Sequence, residues 1–138
     1  MDVTCKVEFT SDPQLLCAIR TAVEHFARQS GFGAEQRRSL TLAVDEALTN
    51  IIRHAYGGRA GEPIEMHLLR SDERVEFVLL DAGQEADLAR VKARPPGELR
   101  AGGRGLHFIR DIMDEVEYQR LPGRNRLRLV KYRPTAGC

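Results

Sequence analysis

Four β-rich runs arranged as two close pairs constrain this chain more than any other feature. "PIEMHLLRS" and "RVEFVLLDAG" are separated only by the polar turn "SDER", and "VEYQR" and "RLRLVKY" only by "LPGRN". Strands joined by so few residues can pair only antiparallel, because a parallel partner needs a crossover of a dozen residues or more. "VTCKVEFT" near the start alternates enough to add a fifth strand. Between it and the first pair lie two helical segments. "SDPQLLCAIRTAVEHFARQSG" opens with Ser11 or Asp12 as cap and Pro13 in the first turn, and Gly31 ends it. The second runs from near Ala34 to Gly57 and Gly58. Residues 82–103 lose periodicity and carry "ARPPGELRAGG", which reads as a long flexible loop. "GLHFIRDIMDEV" restores helical spacing before the second strand pair. The order β-α-α-β-β-loop-α-β-β predicts an α/β (α+β) two-layer sandwich. Helices lie on one face of a mixed, mostly antiparallel sheet, rather than around a doubly wound parallel one. The basic strand "RLRLVKY" looks like an edge.

A chain of 138 residues with 42% hydrophobic content can bury one core, so residues 1–138 are expected to form a single domain. The 21 Lys and Arg against 20 Asp and Glu leave a net charge of +1, which gives no electrostatic case for nucleic acid or an anionic membrane as partner. Three cysteines without CxxC or His-paired spacing suggest reduced thiols rather than a disulfide framework or zinc site. With neither a leader pattern nor an apolar run of about 18 residues, a cytoplasmic protein is expected.

The long helix carries the first candidate chemistry. At roughly 100° per residue, Leu40, Val44, Ala47, Leu48, Ile51 and Ala55 gather on one side, while Glu46, Asn50, Arg53 and Gly57 form a stripe roughly 130° away. Any amphipathic helix has a polar stripe, so a solvated face and a site both stay open. Asp81 ends the most apolar strand, where a partly buried carboxylate can accept a directed hydrogen bond from an exocyclic amine. Gly83 would let a flat ring approach the backbone, although an Asp-x-Gly turn closing a strand explains the pair equally. Gly102, Gly103 and Gly105 precede a helix whose free N–H groups favour phosphate, with Arg100 and Arg104 beside them. "GGRGLH" is neither a dinucleotide fingerprint nor a P-loop, so such a site belongs to another design.

Taken in order, Glu-x3-Asn on a helix, Asp-x-Gly after a strand and Gly-x-Gly before another helix resemble the asparagine and glycine boxes of the Bergerat ATP-binding fold. Gyrase, MutL and histidine kinases share that fold. Within it the chain resembles the small serine kinases of bacterial partner-switching modules, the anti-sigma factors of the RsbW and SpoIIAB type. "LAVDEALTNIIRHAY", "GGRGLHFIRDIMDEVEY" and "NRLRLVKY" carry the match over nearly the whole chain. No phosphoacceptor helix pair precedes these motifs, so a full histidine kinase is not expected.

The resemblance implies ATP and Mg²⁺ as cofactors, with Asn50 coordinating the magnesium and Glu46 as the base that activates the attacking hydroxyl. It implies adenine recognition by Asp81, with Gly83 beneath the base and Arg53 among the nucleotide-binding residues. Main-chain phosphate contacts would come from Gly103, Arg104, Gly105 and Leu106, on a lid that closes over the γ-phosphate. The implied substrate is a serine on a STAS-domain anti-anti-sigma antagonist, with a sigma factor as a further partner and a homodimer left open. Two departures stand out: "DAGQE" has Glu85 where a second Gly is frequent, and "GRNRL" replaces a Gly-Thr, so a polar contact there passes to Asn125 or is lost. An ATP-binding docking or regulatory protein without kinase activity, either an anti-sigma binder or a phosphatase activator, is the alternative.

Overall fold

A computed structural model describes residues 3–86 and 108–134 of the chain. Strand β1 (Val3–Thr10) is followed by a single 3₁₀ turn, Pro13–Leu15, and helix α1 (Leu16–Gln29). Asp12 caps that turn by accepting the Gln14 N–H at 3.0 Å, as its position before Pro13 leads one to expect. Ile19, Val23 and Ala27, spaced four apart, form the buried stripe of α1. Helix α2 (Ala34–Asn50) buries Leu40, Ala43, Val44, Ala47 and Leu48. It does not continue as an α-helix to the glycine pair. Residues Ile51–Ala55 form a π turn, and Gly57 and Gly58 then leave the helix at positive φ.

The next four strands are β2 (Pro63–Arg70), β3 (Arg74–Asp81), β4 (Glu115–Leu121) and β5 (Arg124–Tyr132). A short helical segment α3, residues 108–112, leads into β4. The sheet order is β1-β2-β3-β5-β4, and every pairing is antiparallel, so the expected mixed sheet is in fact wholly antiparallel among the described strands. Nor is β5 an edge strand. It lies between β3 and β4, and its arginines alternate onto the outer face while Leu127 and Leu129 face the helices.

One face of the sheet packs on the helices. Met66, Leu68, Val75, Phe77, Leu79 and Leu129 join the buried residues of α1 and α2 in one core, and the Phe26 ring meets Phe77 edge to face with centroids 6.0 Å apart. The predicted two-layer sandwich is what the chain forms. Across the sheet, Val78, Leu80 and Val130 are buried beneath the long side chains of the outer face rather than beneath a second helix layer of described residues.

The free thiols Cys5 and Cys17 are exposed. No helix of the described residues is long and apolar enough to cross a membrane.

Candidate functional site

The π turn that follows α2 and the residues that follow β3 are bolted together through Ala55 and Tyr56. Tyr56, only 1% exposed, donates its hydroxyl to the Pro63 carbonyl and accepts the Ala82 N–H at 2.7 Å. Burial pushes the pKa of its hydroxyl up, so it keeps its proton and can serve both partners. The Gln84 N–H donates to the Ala55 carbonyl at 2.8 Å. Gly83 lies so close to the π turn that a Cβ on it would stand 2.5 Å from the Ala55 oxygen. Its lack of a side chain therefore serves helix-to-strand packing on the side where a Cβ would project.

On α2, one turn apart, stand Glu46 and Asn50. Glu46 is half-buried and makes no hydrogen bond or ion pair with any described residue. Its sequence neighbour Asp45 is instead held by Arg20 of α1 at 3.0 Å, so of the pair only Glu46 lacks a partner among the described residues. Asn50 has a buried Oδ1 with no hydrogen-bond partner. A buried amide oxygen left without a donor costs about 1–3 kcal/mol, which sets Asn50 apart from the other buried side-chain polar groups of the described residues. It is a hard oxygen donor of the kind magnesium takes. Arg53 is exposed on the π turn, where the 100° wheel that grouped it with Glu46 and Asn50 no longer applies. For the same reason Ile52, absent from the predicted apolar face, is buried, while Ala55 is only half-buried.

Asp81 is 5% exposed and accepts two hydrogen bonds on Oδ1, from Asn125 Nδ2 at 2.8 Å and from the Gly83 N–H at 2.9 Å. Its Oδ2 accepts from none of the described residues. Burial raises its pKa above the ordinary carboxylate value, against the lowering effect of the Asn125 amide, the Gly83 N–H and the Arg120 charge. Asn125 sits directly across from Asp81 in the β3–β5 register. Sequence inspection left its role open, because a contact between residues 44 apart depends on a register that only the folded sheet defines. Gly103, Arg104, Gly105 and Leu106, with Arg100 and the expected lid over 82–103, lie outside the described residues from position 87 onward. A shallow cleft of about 270 Å³ at this end of the sheet touches Asp81, but Glu8, Glu65 and Leu80 of the outer face also line it, and it reaches neither Glu46 nor Asn50.

Among the described residues, α2 thus carries an unpaired carboxylate and an amide oxygen without a hydrogen-bond donor, and the end of β3 carries a buried carboxylate. The chain belongs to the histidine kinase-like ATPase domain family, whose pattern its residues 9–131 match. The serine-protein kinase RsbW of Bacillus pumilus (strain SAFR-032) is 30% identical over 124 residues, which cover 83% of this chain and 76% of that one. The serine/threonine-protein kinase BtrW of Bordetella bronchiseptica is 37% identical over 116 residues, covering 80% of each. Among solved structures, a chain of the SiaB–SiaC complex from Pseudomonas aeruginosa superposes with a TM-score of 0.59 at 19% identity. It covers 91% of this chain and 89% of that one, a likeness of fold. The chain is accordingly a protein-serine kinase of the RsbW kind, and the family read from the motifs holds.

Proposed function

We propose that this kinase works in a partner-switching module, moving the γ-phosphoryl group of ATP to a serine hydroxyl on a small STAS-domain antagonist protein. Glu46 accepts the serine proton as the Oγ–P bond forms, while the bond from the γ-phosphorus to its bridging oxygen breaks and ADP leaves. Asp81 accepts the 6-amino group of adenine on Oδ2. Main-chain groups at Gly103, Arg104, Gly105 and Leu106, with Arg53 at the rim, complete the contacts to nucleotide.

The observation that carries this reading is the buried, partnerless Oδ1 of Asn50 one turn beyond the unpaired Glu46. Asn50 fits a magnesium ion, which would neutralise phosphate charge and bridge the phosphates to the protein. The unpaired Glu46 also favours a kinase over a docking protein without transferase activity, which has no use for a free carboxylate there. Retention of a sigma factor, and a homodimer, extend the proposal through the resemblance to anti-sigma kinases. Both are read by co-purification with ATP and with ADP.

The test separates binding from chemistry. Glu46→Gln keeps ATP affinity within a few fold and lowers phosphoryl transfer to the antagonist by ~10² or more, the scale of a lost general base. Parallel loss of both would make Glu46 a structural residue.

A further inference from the structure

Asn125 is 4% exposed and has both polar side-chain atoms engaged, in an arrangement that reaches well beyond its own strand. Its Nδ2 donates to Asp81 Oδ1 at 2.8 Å and to the Gln84 carbonyl at 2.9 Å. Its Oδ1 accepts the Tyr118 hydroxyl and, at 3.1 Å, Arg120 Nη1. The same Arg120 nitrogen donates to the Gly83 carbonyl at 2.9 Å, and the Tyr118 oxygen accepts the Ala86 N–H at 3.0 Å.

These partners fix which way the amide points. Turned over, it would set its N–H groups against two donors and its oxygen against a carboxylate and a carbonyl. With Nδ2 thus forced toward Asp81, Oδ1 of that carboxylate is committed to two donors, Asn125 and the Gly83 N–H. A proton taken up by Asp81 therefore has only Oδ2 to occupy.

We propose that Asn125, oriented by Tyr118 and Arg120, is the positioning residue that makes Asp81 Oδ2 the reading atom for the base and at the same time sets the path of residues 83–86. This rests on the reading of Asp81 as the adenine acceptor and adds what enforces it. While Oδ2 is a bare acceptor, it matches the amine of a 6-aminopurine and opposes the carbonyl of a 6-oxopurine. Without the Asn125 amide the carboxyl group is free to rotate and loses a donor that favours its charged form. A protonated or turned Asp81 can then offer O–H to a 6-oxopurine, so ATP binding weakens while GTP binding gains. Because the amide also holds Gln84, and Tyr118 holds Ala86, the reading atom and the chain leaving β3 are set by one cluster.

The experiment measures ATP and GTP affinity by displacement of a fluorescent nucleotide, for the parent chain, Asn125→Ala and Tyr118→Phe, with thermal unfolding and amide exchange at Ala86 alongside. The parent should prefer ATP by about tenfold or more, and Asn125→Ala should reduce that ratio about tenfold, with weaker ATP and tighter GTP binding. Tyr118→Phe, which keeps the ring, should shift the ratio in the same direction by less and speed exchange at Ala86. Equal affinity for both nucleotides in the parent would remove the Asp81 reading itself. A parent preference that survives unchanged in a folded Asn125→Ala protein would overturn the role of Asn125 alone. Should Asn125→Ala not fold, an unaltered ratio together with unaltered Ala86 exchange in Tyr118→Phe overturns it instead.

Discussion

On one carboxyl group, that of Asp81, two demands meet: burial favours its neutral form, whereas an amine ligand needs the charged one. Burial holds its folded-state pKa above the ordinary 3.8, so the folded chain takes up this proton at a higher pH than the unfolded chain does. Between the two values the contribution of Asp81 to stability falls as pH rises, since the charge is then buried in the folded state only. Ligand binding runs the other way. The acceptor is lost as pH falls through the raised value, so ATP affinity should decline on acidification from a pH above the usual aspartate range. Asp81→Asn is the matched control, because the carboxamide oxygen can keep both donors of Oδ1 and the NH₂ takes the place of Oδ2. It should bind ATP more weakly at neutral pH and show no step assignable to this residue. Comparing the two chains cancels the titration of the triphosphate itself. Superimposable pH profiles would mean that the charge on Asp81 plays no part in holding the base.

Between α2 and β3 the site depends on a joint with no room to spare, and Gly83 is its narrowest point. A methyl group there would overlap the Ala55 carbonyl, carbonyl carbon and Cβ at 2.5–2.8 Å, and all but the Cβ belong to backbone that cannot swing aside. Gly83→Ala should therefore cost about 1–3 kcal/mol by overpacking, read as a lowered melting temperature, and weaken ATP and GTP binding alike because Asp81 is displaced from the helix end. Undiminished stability would show that the joint yields. This is also where the sequence stops being legible. The strand pairs, both long helices, Asp81 and the Glu46–Asn50 spacing follow from periodicity, turn residues and motif order. The π turn at Ile51–Ala55 does not, since one widened turn leaves the apolar pattern of α2 intact up to Asn50 and only then shifts the faces. The placing of β5 beside β3 is equally hidden: hairpins announce their own pairing, but which older strand a hairpin joins depends on long-range contacts. Asn125 inherits that invisibility, because its value lies in facing Asp81 across that pairing.

Seen as a whole, the sheet divides its labour between two faces. The inner one builds the core and delivers Asp81 and Asn125 to the site, while the outer one carries a charged lattice over Val78, Leu80 and Val130. At its centre Glu76, 7% exposed, is gripped by Arg128 and lies 3.3 Å from Arg74, and Arg128 also reaches Glu115 and Glu117 of β4 at 3.7 and 3.8 Å. This explains how a strand as basic as β5 can sit inside a sheet: its charges meet acids on both neighbouring strands. Arg128→Ala should leave Glu76 short of its main partner and uncover Val78, its cross-strand neighbour. The expected loss is about 1–3 kcal/mol, less than for a pair sealed in a core, because Arg74 remains and the lattice is one side chain deep. Replacing Glu76 and Arg128 together by leucine should recover most of that loss, since two apolar side chains of fitting size need no partners. Neither change should alter the ATP-to-GTP ratio of the folded protein, because the lattice and the proposed nucleotide site occupy opposite faces. Chemical unfolding of the single and double variants, with both nucleotide affinities measured, checks each part. If Arg128→Ala is as stable as the parent, the lattice is a solvated surface; if it changes base preference, the two faces are not independent.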